Sequence, residues 1–320
     1  MEEKSNKYLI YDHPINNTLK FRLSKVKMML RAKLFQLKMN IIYPKNNETK
    51  KYYVSICAIF KNEAKYLKEW ILFHQIIGID HFYMYNNNSE DNYKEILEPF
   101  IDQGIVTLIE FPYNHAQMQA YTDCIQRFKK ESNWIGFIDL DEFLVPIEND
   151  NIKDFLKKFE KNRPAVQIYW KLFGTSGLTK RATNSLVIED FTVCWPKHDM
   201  IGKCFFNTKY DFNPDFQYNA GFHHVFWGSY KGHYFPMVNF CNKVCYNLYH
   251  PIHTKEFPIQ INHYFTKSFN EYVEKASKGD VYFTNNPHNL DYFYRHEMLC
   301  TSTDYSAYKY LIKLKQKLEE

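Results

Sequence analysis

Four apolar segments alternate with stretches of helical spacing in the first half of the chain, and this alternation limits the possible folds more than any other feature. The segments are rich in β-branched and aromatic residues and cover positions 52–60, 79–85, 105–111 and 134–138. Continuous apolar runs of this length are typical of strands that are buried on both faces. Strands joined by helical crossovers predict an α/β fold with a mostly parallel, doubly wound sheet and helices on both faces.

Polar residues follow three of these four predicted strands at the point where each strand ends. The three clusters are Lys61 to Glu63, Asn86 to Asp91, and Asp139 to Glu142. Ligands of doubly wound sheets bind beyond the carboxyl ends of the strands. The sequence therefore predicts a binding site that is assembled from these clusters at one edge of the sheet.

Composition and charge argue against three common classes of binding protein. Glycine makes up only 10 of 320 residues, and neither G-x-G-x-x-G nor G-x-x-x-x-G-K-[ST] occurs, so a dinucleotide fingerprint and a phosphate loop are absent. Residues 1–51 hold 12 of the 41 Lys and Arg residues but 4 of the 36 acidic ones, which gives this arm a net charge of +8 and the remainder −3. A nucleic-acid binder usually carries its basic surface on the folded domain, so we predict no nucleic-acid partner.

A basic amphipathic helix is predicted between Leu19 and Ile42. Lys and Arg alternate there with apolar residues that recur every three or four positions, and no acidic residue occurs; the apolar positions are Leu23, Val26, Leu30, Leu34, Leu37 and Ile41. One interpretation lays this helix (residues 19–42) on an anionic membrane surface, and the other packs it on the domain with its Lys side toward water.

The sequence also gives an expectation about location. No apolar run is long enough to span a membrane, and the seven Cys residues show neither a C-x-x-C spacing nor a preceding secretory signal. Reduced thiols are typical of the cytosol. We therefore expect a cytoplasmic protein, which lies on the inner face of the membrane if the basic helix binds lipid.

Asp139 and Asp141 follow the fourth predicted strand and are separated by one residue. Alternation of side chains along an extended chain puts both carboxylates on one side and turns Leu140 to the other. Two carboxylates on one face bind a hard cation such as Mg²⁺ or Mn²⁺, which neutralises a departing diphosphate. The alternative is a loop whose carboxylate only caps the next element. The position after a buried strand favours the metal site.

These residues belong to a longer ordered set of motifs. The set comprises Ile59 to Glu63 with Leu67, Glu69, Trp70 and His74; Tyr85 to Asp91; Gln119 to Tyr121; Trp134 to Leu144; Trp170 to Gly177; Leu186 to Glu189; and Ile261 to Ser268 with Lys275 and Gly279. In this set the sequence resembles glycosyltransferase family 92, which is related to family 2. The resemblance implies a GT-A fold, a nucleotide-sugar donor, a divalent cation and inverting sugar transfer. We divide the chain accordingly into a basic arm with its linker (1–51), a GT-A domain (52–285) and a C-terminal helical tail (286–320).

Carried over position by position, the resemblance implies that Asp139 and Asp141 form the metal and donor motif, with Asp141 the more direct ligand. His263 is implied as a late metal ligand or a phosphate contact; the alternative is a core histidine bonded to backbone. We also expect Lys203 or Lys267 to reach a phosphate, although a solvated lysine is the more common case.

Four further residues match the edge that faces uridine in related enzymes. They are Asn62, Glu63, Asn88 and Asp91. The resemblance therefore implies that these side chains contact the nucleotide. Each of them is also suited to a turn or a helix cap, and this alternative stays open.

An inverting transfer needs a base that takes the proton of the acceptor hydroxyl as its oxygen attacks. Glu142 adjoins the metal motif, and Glu189 follows the apolar start of a segment, Leu186 to Val193, that we predict as a strand. The histidines His223 and His224 lie in an aromatic loop. The sequence does not choose among these groups, and we rank Glu189 and His224 first.

Together these features predict a metal-dependent inverting glycosyltransferase. The expected donor is a UDP-sugar, with UDP-galactose first by resemblance, and the expected acceptor is a glycan or a lipid-linked glycan such as those of lipopolysaccharide and the cell envelope. The expected cofactor is Mn²⁺ or Mg²⁺. Two alternatives stay open, namely a non-catalytic carbohydrate-binding module and a metal-dependent glycan hydrolase.

Overall fold

A computed structural model describes residues 7–10, 19–46, 48–216, 222, 226–246, 249–277 and 289–320. The helices of these residues are α1 (Leu19–Ile41), α2 (Ala64–Ile76), α3 (Tyr93–Asp102), α4 (Gln117–Phe128), α5 (Ile152–Lys157), α6 (Val187–Asp190), α7 (Phe269–Ser277), α8 (Leu290–Leu299) and α9 (Leu311–Glu319). The strands are β1 (Leu9–Ile10), β2 (Tyr52–Phe60), β3 (His81–Asn86), β4 (Val106–Glu110), β5 (Ser132–Phe137), β6 (Glu142–Pro146), β7 (Ala165–Leu172), β8 (Val193–Cys194), β9 (His198–Asp199), β10 (Gly202–Asn207), β11 (Trp227–Tyr230), β12 (His233–Pro236), β13 (Ile259–His263) and β14 (Ser302–Thr303). Short 3-10 turns lie at Pro214–Phe216 and Ser306–Tyr310.

The core of the domain is an eight-stranded sheet in the order β4-β3-β2-β5-β10-β7-β13-β6. Its first four strands are parallel to one another, as their helical crossovers require. In the second half, β10 runs antiparallel to β5 and β7, while β13 is parallel to β7 and antiparallel to β6. The predicted α/β fold with a large sheet is confirmed. Its second half is mixed rather than parallel; the link of residues 138–141 between β5 and β6 is too short for a crossover helix.

Burial along β2 explains why its sequence is a continuous apolar run. Every side chain from Val54 to Phe60 is buried, because the strand lies between β3 and β5 and is covered on both faces. Since β2, β3 and β5 are parallel neighbours, their carboxyl ends meet at one edge of the sheet. The polar clusters that follow these three strands are therefore brought together, as the sequence predicts.

The segment around Glu189 differs from the sequence prediction. We expect a strand from Leu186 to Val193, but the chain forms the one-turn helix α6 there. The buried carboxylate of Glu69 accepts hydrogen bonds from the backbone N–H groups of Val187 (2.9 Å) and Ile188 (3.2 Å) and so caps this turn. The cap comes from 118 positions away in the chain, and local β-propensity therefore gives the wrong element.

The helix α1 lies against the domain through the face opposite the predicted apolar stripe. Ala32 and Met39 are buried, and Phe35 packs edge-on against Trp227 with ring centroids 5.5 Å apart. The predicted apolar positions point away from the domain and stay exposed. Among the described helices, none is both long enough and apolar enough to cross a membrane.

Candidate active site at the carboxyl edge of the sheet

The candidate site is built around the turn that links β5 to β6. Asp139 and Asp141 lie in this turn rather than in an extended strand, so alternation along a strand is not what orients their side chains. The indole N–H of Trp70 donates to the carbonyl oxygens of Asp139 (3.2 Å) and Glu142 (2.8 Å). The backbone N–H of Tyr264, after β13, donates to the carbonyl of Asp141 (2.8 Å). The turn is thus held from α2 on one side and from β13 on the other.

Both carboxylate oxygens of Asp139 accept hydrogen bonds from neighbouring elements. Its Oδ1 accepts from Gln117 Nε2 (2.8 Å) and from the Tyr121 hydroxyl (2.6 Å), both in the first turns of α4. Its Oδ2 accepts from Lys203 Nζ on β10 at 2.7 Å. Lys203 is fully buried, and although burial lowers the pKa of a lysine, Asp139 and Glu142 together raise the pKa of Lys203 above its ordinary value.

Asp141 is buried and faces cationic groups from β13 and α7. Its Oδ2 accepts a hydrogen bond from Lys275 Nζ at 2.5 Å, and its Oδ1 lies 3.7 Å from His263 Nε2. Burial would raise the pKa of Asp141, but the charges of Lys275, His263 and Lys267 hold this pKa well below its ordinary value. Asp141 is therefore a carboxylate at neutral pH.

Glu142 lies beneath the same turn and is fully buried. Its Oε2 accepts from the backbone N–H of Asp139 (3.1 Å) and lies 3.6 Å from Lys203 Nζ. Burial, followed by the charges of Asp139 and Asp141, raises the pKa of Glu142 well above its ordinary value, although Lys203 opposes the shift. Within the described part of the chain, its Oε1 has no hydrogen-bond partner.

Two more predicted residues join this cluster, from the end of β2 and from the segment after β13. Desolvation and the charges of Asp141 and Asp139 raise the pKa of Glu63 to about 7, against the opposing effect of Lys267. Lys267 is buried with its Nζ 4.2 Å from the centre of the Tyr66 ring, and burial lowers its pKa. The site thus combines acidic and basic side chains from β10, β13, α7 and the segments that follow β2 and β13.

Asn62 and Asp91 connect the loops that follow β2 and β3. Asn62 Oδ1 accepts from the backbone N–H of Glu90 (2.7 Å), and Asp91 Oδ2 accepts from the N–H of Ala64 at the start of α2 (2.8 Å). Asn88 is exposed in a left-handed conformation with φ of 55°. In the described structure, Asp91 Oδ1 is buried and has no hydrogen-bond partner. Nucleotide contact by these residues stays a prediction.

The candidates for the base occupy different places. Glu142 lies under the metal turn, as described above. Glu189 lies in α6, where its Oε1 accepts from Lys315 Nζ of α9 at 2.5 Å. His223 and His224 lie outside the described residues.

The predicted metal ligands fit a cation only in part. The gap of 3.7 Å between Asp141 Oδ1 and His263 Nε2 is a separation that two ligands of one ion adopt, since metal–ligand distances are about 2.1 Å. The carboxylate of Asp139 instead accepts hydrogen bonds from Lys203, Gln117 and Tyr121. Among the residues described, Asp139, Asp141 and His263 do not bring three ligand atoms within 4.8 Å of one another.

Sequence reasoning gave no role to three partners of the acidic pair, although the motif set already contains Tyr121 and Lys275. Gln117 and Tyr121 stand four positions apart on α4, which places both on one helix face after the third strand. Lys275 lies in α7, eight positions after Lys267, which precedes this helix. The i, i+4 spacing of Gln117 and Tyr121 at a sheet edge is the sequence feature that could have identified these two residues as partners.

Comparison with known proteins gives the family. A family model described as glycosyltransferase family 92 matches residues 50–291, which is most of the chain. The chain belongs to glycosyltransferase family 92. Its relatives include a family 92 protein of Oryza sativa subsp. japonica, 32% identical over 142 residues that make up 43% of this chain and 24% of the relative.

Two further relatives carry names that state an activity. The beta-1,4-galactosyltransferase galt-1 of Caenorhabditis elegans is 34% identical over 110 residues, 30% of this chain and 26% of that protein. The galactan beta-1,4-galactosyltransferase GALS3 of Arabidopsis thaliana is 29% identical over 134 residues, 38% of this chain and 26% of that protein. The chain thus spans about a quarter of the length of the curated relatives it matches.

Solved structures give weaker matches. Residues 1–349 of TarS from S. aureus, in complex with UDP, match with 14% identity and a TM-score of 0.34 over 49% of this chain and 47% of that one. The mannosyltransferase PcManGT from Pyrobaculum calidifontis, in complex with GDP-Man and Mn²⁺, matches with 13% identity and a TM-score of 0.30 over 47% and 46% of the two chains.

Proposed function

We propose that this family 92 protein transfers a sugar from a nucleotide sugar, a UDP-sugar first, to a glycan or lipid-linked glycan acceptor with the help of a divalent cation. The observation that carries the proposal is the acidic turn at 139–141, which lies at the edge where the parallel strands β2, β3 and β5 end. Membership of the family and the galactosyltransferase relatives support the reaction class.

Asp141 and His263 are the residues that we propose to hold the cation, Mn²⁺ or Mg²⁺. Both offer an atom to the same gap, and Asp141 is ionised, as a ligand for a hard cation must be. When bound, the cation stabilises the charge that develops on the diphosphate as the sugar leaves. Asp139 holds the turn in place through its bonds to α4 and β10.

Lys267 and Lys275 are the groups that we propose to contact the diphosphate of the donor. Lys275 binds Asp141 through one proton of its ammonium group, which carries two more, and its side chain is 46% exposed. Lys267 is buried beside the same carboxylate. Cations fixed before the donor arrives stabilise a developing anion more than mobile ones do. Lys203 is already bonded to Asp139, so its contribution is to hold that carboxylate.

The acceptor hydroxyl has to lose its proton to a base on the side opposite the leaving diphosphate. Glu142, Glu189 and His224 stay the proposed candidates. Burial raises the pKa of Glu142, so this carboxyl group has to lose its own proton before it can accept one, whereas Glu189 is paired with Lys315. A pH–rate profile of Gln variants of the two glutamates and an Asn variant of His224 identifies the base by loss of one limb of the profile.

A screen of nucleotide sugars with Mn²⁺ tests the proposal. Wild-type protein should release nucleoside diphosphate and pass labelled sugar to a glycan acceptor, and Asp141→Asn should abolish both. Asp211→Asn is the matched control, because this aspartate is 69% exposed in a surface ion pair with Lys129. Absence of release with every donor contradicts the proposal and favours a sugar-binding module. Glycan cleavage by water without nucleotide contradicts it in favour of a hydrolase.

A further inference from the structure

The outer face of α1 carries a continuous apolar stripe that the described part of the domain leaves uncovered. Its members, called the outer stripe, are 51% to 76% exposed and are Leu19, Leu23, Val26, Leu30, Leu34, Leu37 and Ile41. Steps of three and four residues keep all seven within an arc of roughly 80° on the helix. In a protein of this size, large apolar residues aligned on one exposed face mark an interaction surface.

Contacts on the opposite face fix the direction in which the outer stripe points. Gln36 exchanges two 3.0 Å hydrogen bonds with backbone groups of Asn242 and Val244. The hydroxyl of Tyr246 donates to the carbonyl of Met28 (2.9 Å). The helix cannot roll its leucines into the domain without breaking these bonds and exposing the buried Met39. The occupant of the stripe therefore comes from outside the part of the domain that the structure describes.

Basic residues line both edges of the stripe. α1 contains seven Lys or Arg residues and no Asp or Glu. Lys27, Arg31 and Lys38 follow one edge and are exposed, and Arg22 and Lys33 follow the other. An occupant must therefore accept apolar side chains in the middle and carry negative charge on both sides.

We propose that α1 docks on an anionic phospholipid bilayer, with the outer stripe in the acyl boundary and the flanking cations at the headgroups. A basic amphipathic helix lies flat in this interface, and its 23 residues give a length of about 35 Å along the surface. Each basic residue near an anionic surface strengthens binding. A second copy of α1 offers only more cations to the same edges, and a nucleic acid leaves the leucines in water.

Flotation with lipid vesicles tests this docking. Wild-type protein should bind vesicles of phosphatidylglycerol and phosphatidylcholine more tightly than vesicles of phosphatidylcholine alone. Leu30→Ser combined with Leu34→Ser should weaken binding at least roughly tenfold. The control pair Met298→Ser and Ile312→Ser removes apolar groups that are 79% and 67% exposed outside α1, and it should bind as wild type does.

A pair of charge-removing substitutions measures the electrostatic contribution to vesicle binding. Arg31→Gln with Lys38→Gln should weaken binding to anionic vesicles by about 25-fold, roughly fivefold per cation, and leave binding to neutral vesicles unchanged. Lys94→Gln with Lys157→Gln is the control, since both lysines are exposed outside α1. Thermal unfolding of all these variants should match wild type because the replaced side chains are exposed.

Three results overturn the proposal. The first is a wild-type protein that does not bind anionic vesicles, and the second is a Leu30→Ser, Leu34→Ser variant that binds them as tightly as wild type. The third is a wild-type dimer in solution that this variant dissociates, which assigns the outer stripe to a second copy. Donor binding is measured separately without lipid, so a failure of the docking proposal is distinct from a failure of the proposed reaction.

Discussion

Replacement of Lys203 by methionine is expected to destabilise the fold rather than to act on the donor alone. Lys203 is fully buried with its Nζ 2.7 Å from Asp139 and 3.6 Å from Glu142. Lys203→Met leaves both Asp139 and the buried Glu142 without their cation, and breaking a buried pair in this way costs about 3–5 kcal/mol. Urea unfolding followed by circular dichroism measures the loss.

The pH dependence and a second substitution test this reasoning. Because the pKa of Glu142 is already raised by burial, protonation relieves the unpaired charge, and the cost of Lys203→Met should be smaller at pH 5 than at pH 8. Adding Glu142→Gln should recover at least about 2 kcal/mol of the loss. Lys129→Met is the control and should change stability by about 0–1 kcal/mol, since its ion pair with Asp211 is at the surface.

A small effect of Lys203→Met on stability, below about 1 kcal/mol, would refute this account of the buried ion pair. So would a double variant with Glu142→Gln that is no more stable than Lys203→Met alone. If donor affinity fell while stability stayed unchanged, Lys203 would be a phosphate contact, as the sequence alone allows.

Three other substitutions have definite expected results. Burial raises the pKa of Glu69 to about 7 in the folded protein, so the ionisation of Glu69 lowers wild-type stability as the pH rises from about 4.5 to 7. In unfolding curves across this range, the stability of Glu69→Gln relative to wild type should increase by up to about 3 kcal/mol. A difference that stays constant with pH contradicts the raised pKa of Glu69. Tyr121→Phe removes the hydroxyl 2.6 Å from Asp139 and should lower the free energy of unfolding by about 1.5–3 kcal/mol in urea, and an unchanged midpoint speaks against this bond. Gly202→Ala places a Cβ 2.0 Å from the backbone oxygen of Ile168 and should lower the free energy of unfolding by about 2–3 kcal/mol or more in the same assay. An alanine variant that is as stable as wild type contradicts this close approach of the two strands.

Apolar periodicity was sufficient to predict the first half of the sheet. β2 has the predicted bounds of 52–60, and β3, β4 and β5 begin and end within two residues of the predicted segments 79–85, 105–111 and 134–138. The parallel pairing then follows from the crossover helices, and with it the meeting of three polar clusters at one edge. Local signals suffice there because each element is determined by its own residues.

Contacts between residues distant in the chain account for what the sequence did not predict. The turn α6 depends on Glu69, which no pattern near Val187 indicates. The pairing of Asp141 with Lys275 spans 134 positions. Periodicity located the stripe of α1 but not the face that packs, because Phe35 and Met39 form a second apolar face on the same helix.

Titration calorimetry with UDP and Mn²⁺ tests the central claim most directly, namely that the turn at 139–141 binds a cation and a diphosphate at the edge of the sheet. Wild-type protein should bind UDP at least roughly tenfold more tightly with Mn²⁺ than without it. Asp141→Asn should lose this enhancement, whereas the exposed-site control Asp211→Asn should keep it. An Asp141→Asn protein that binds UDP with Mn²⁺ as tightly as wild type contradicts the account.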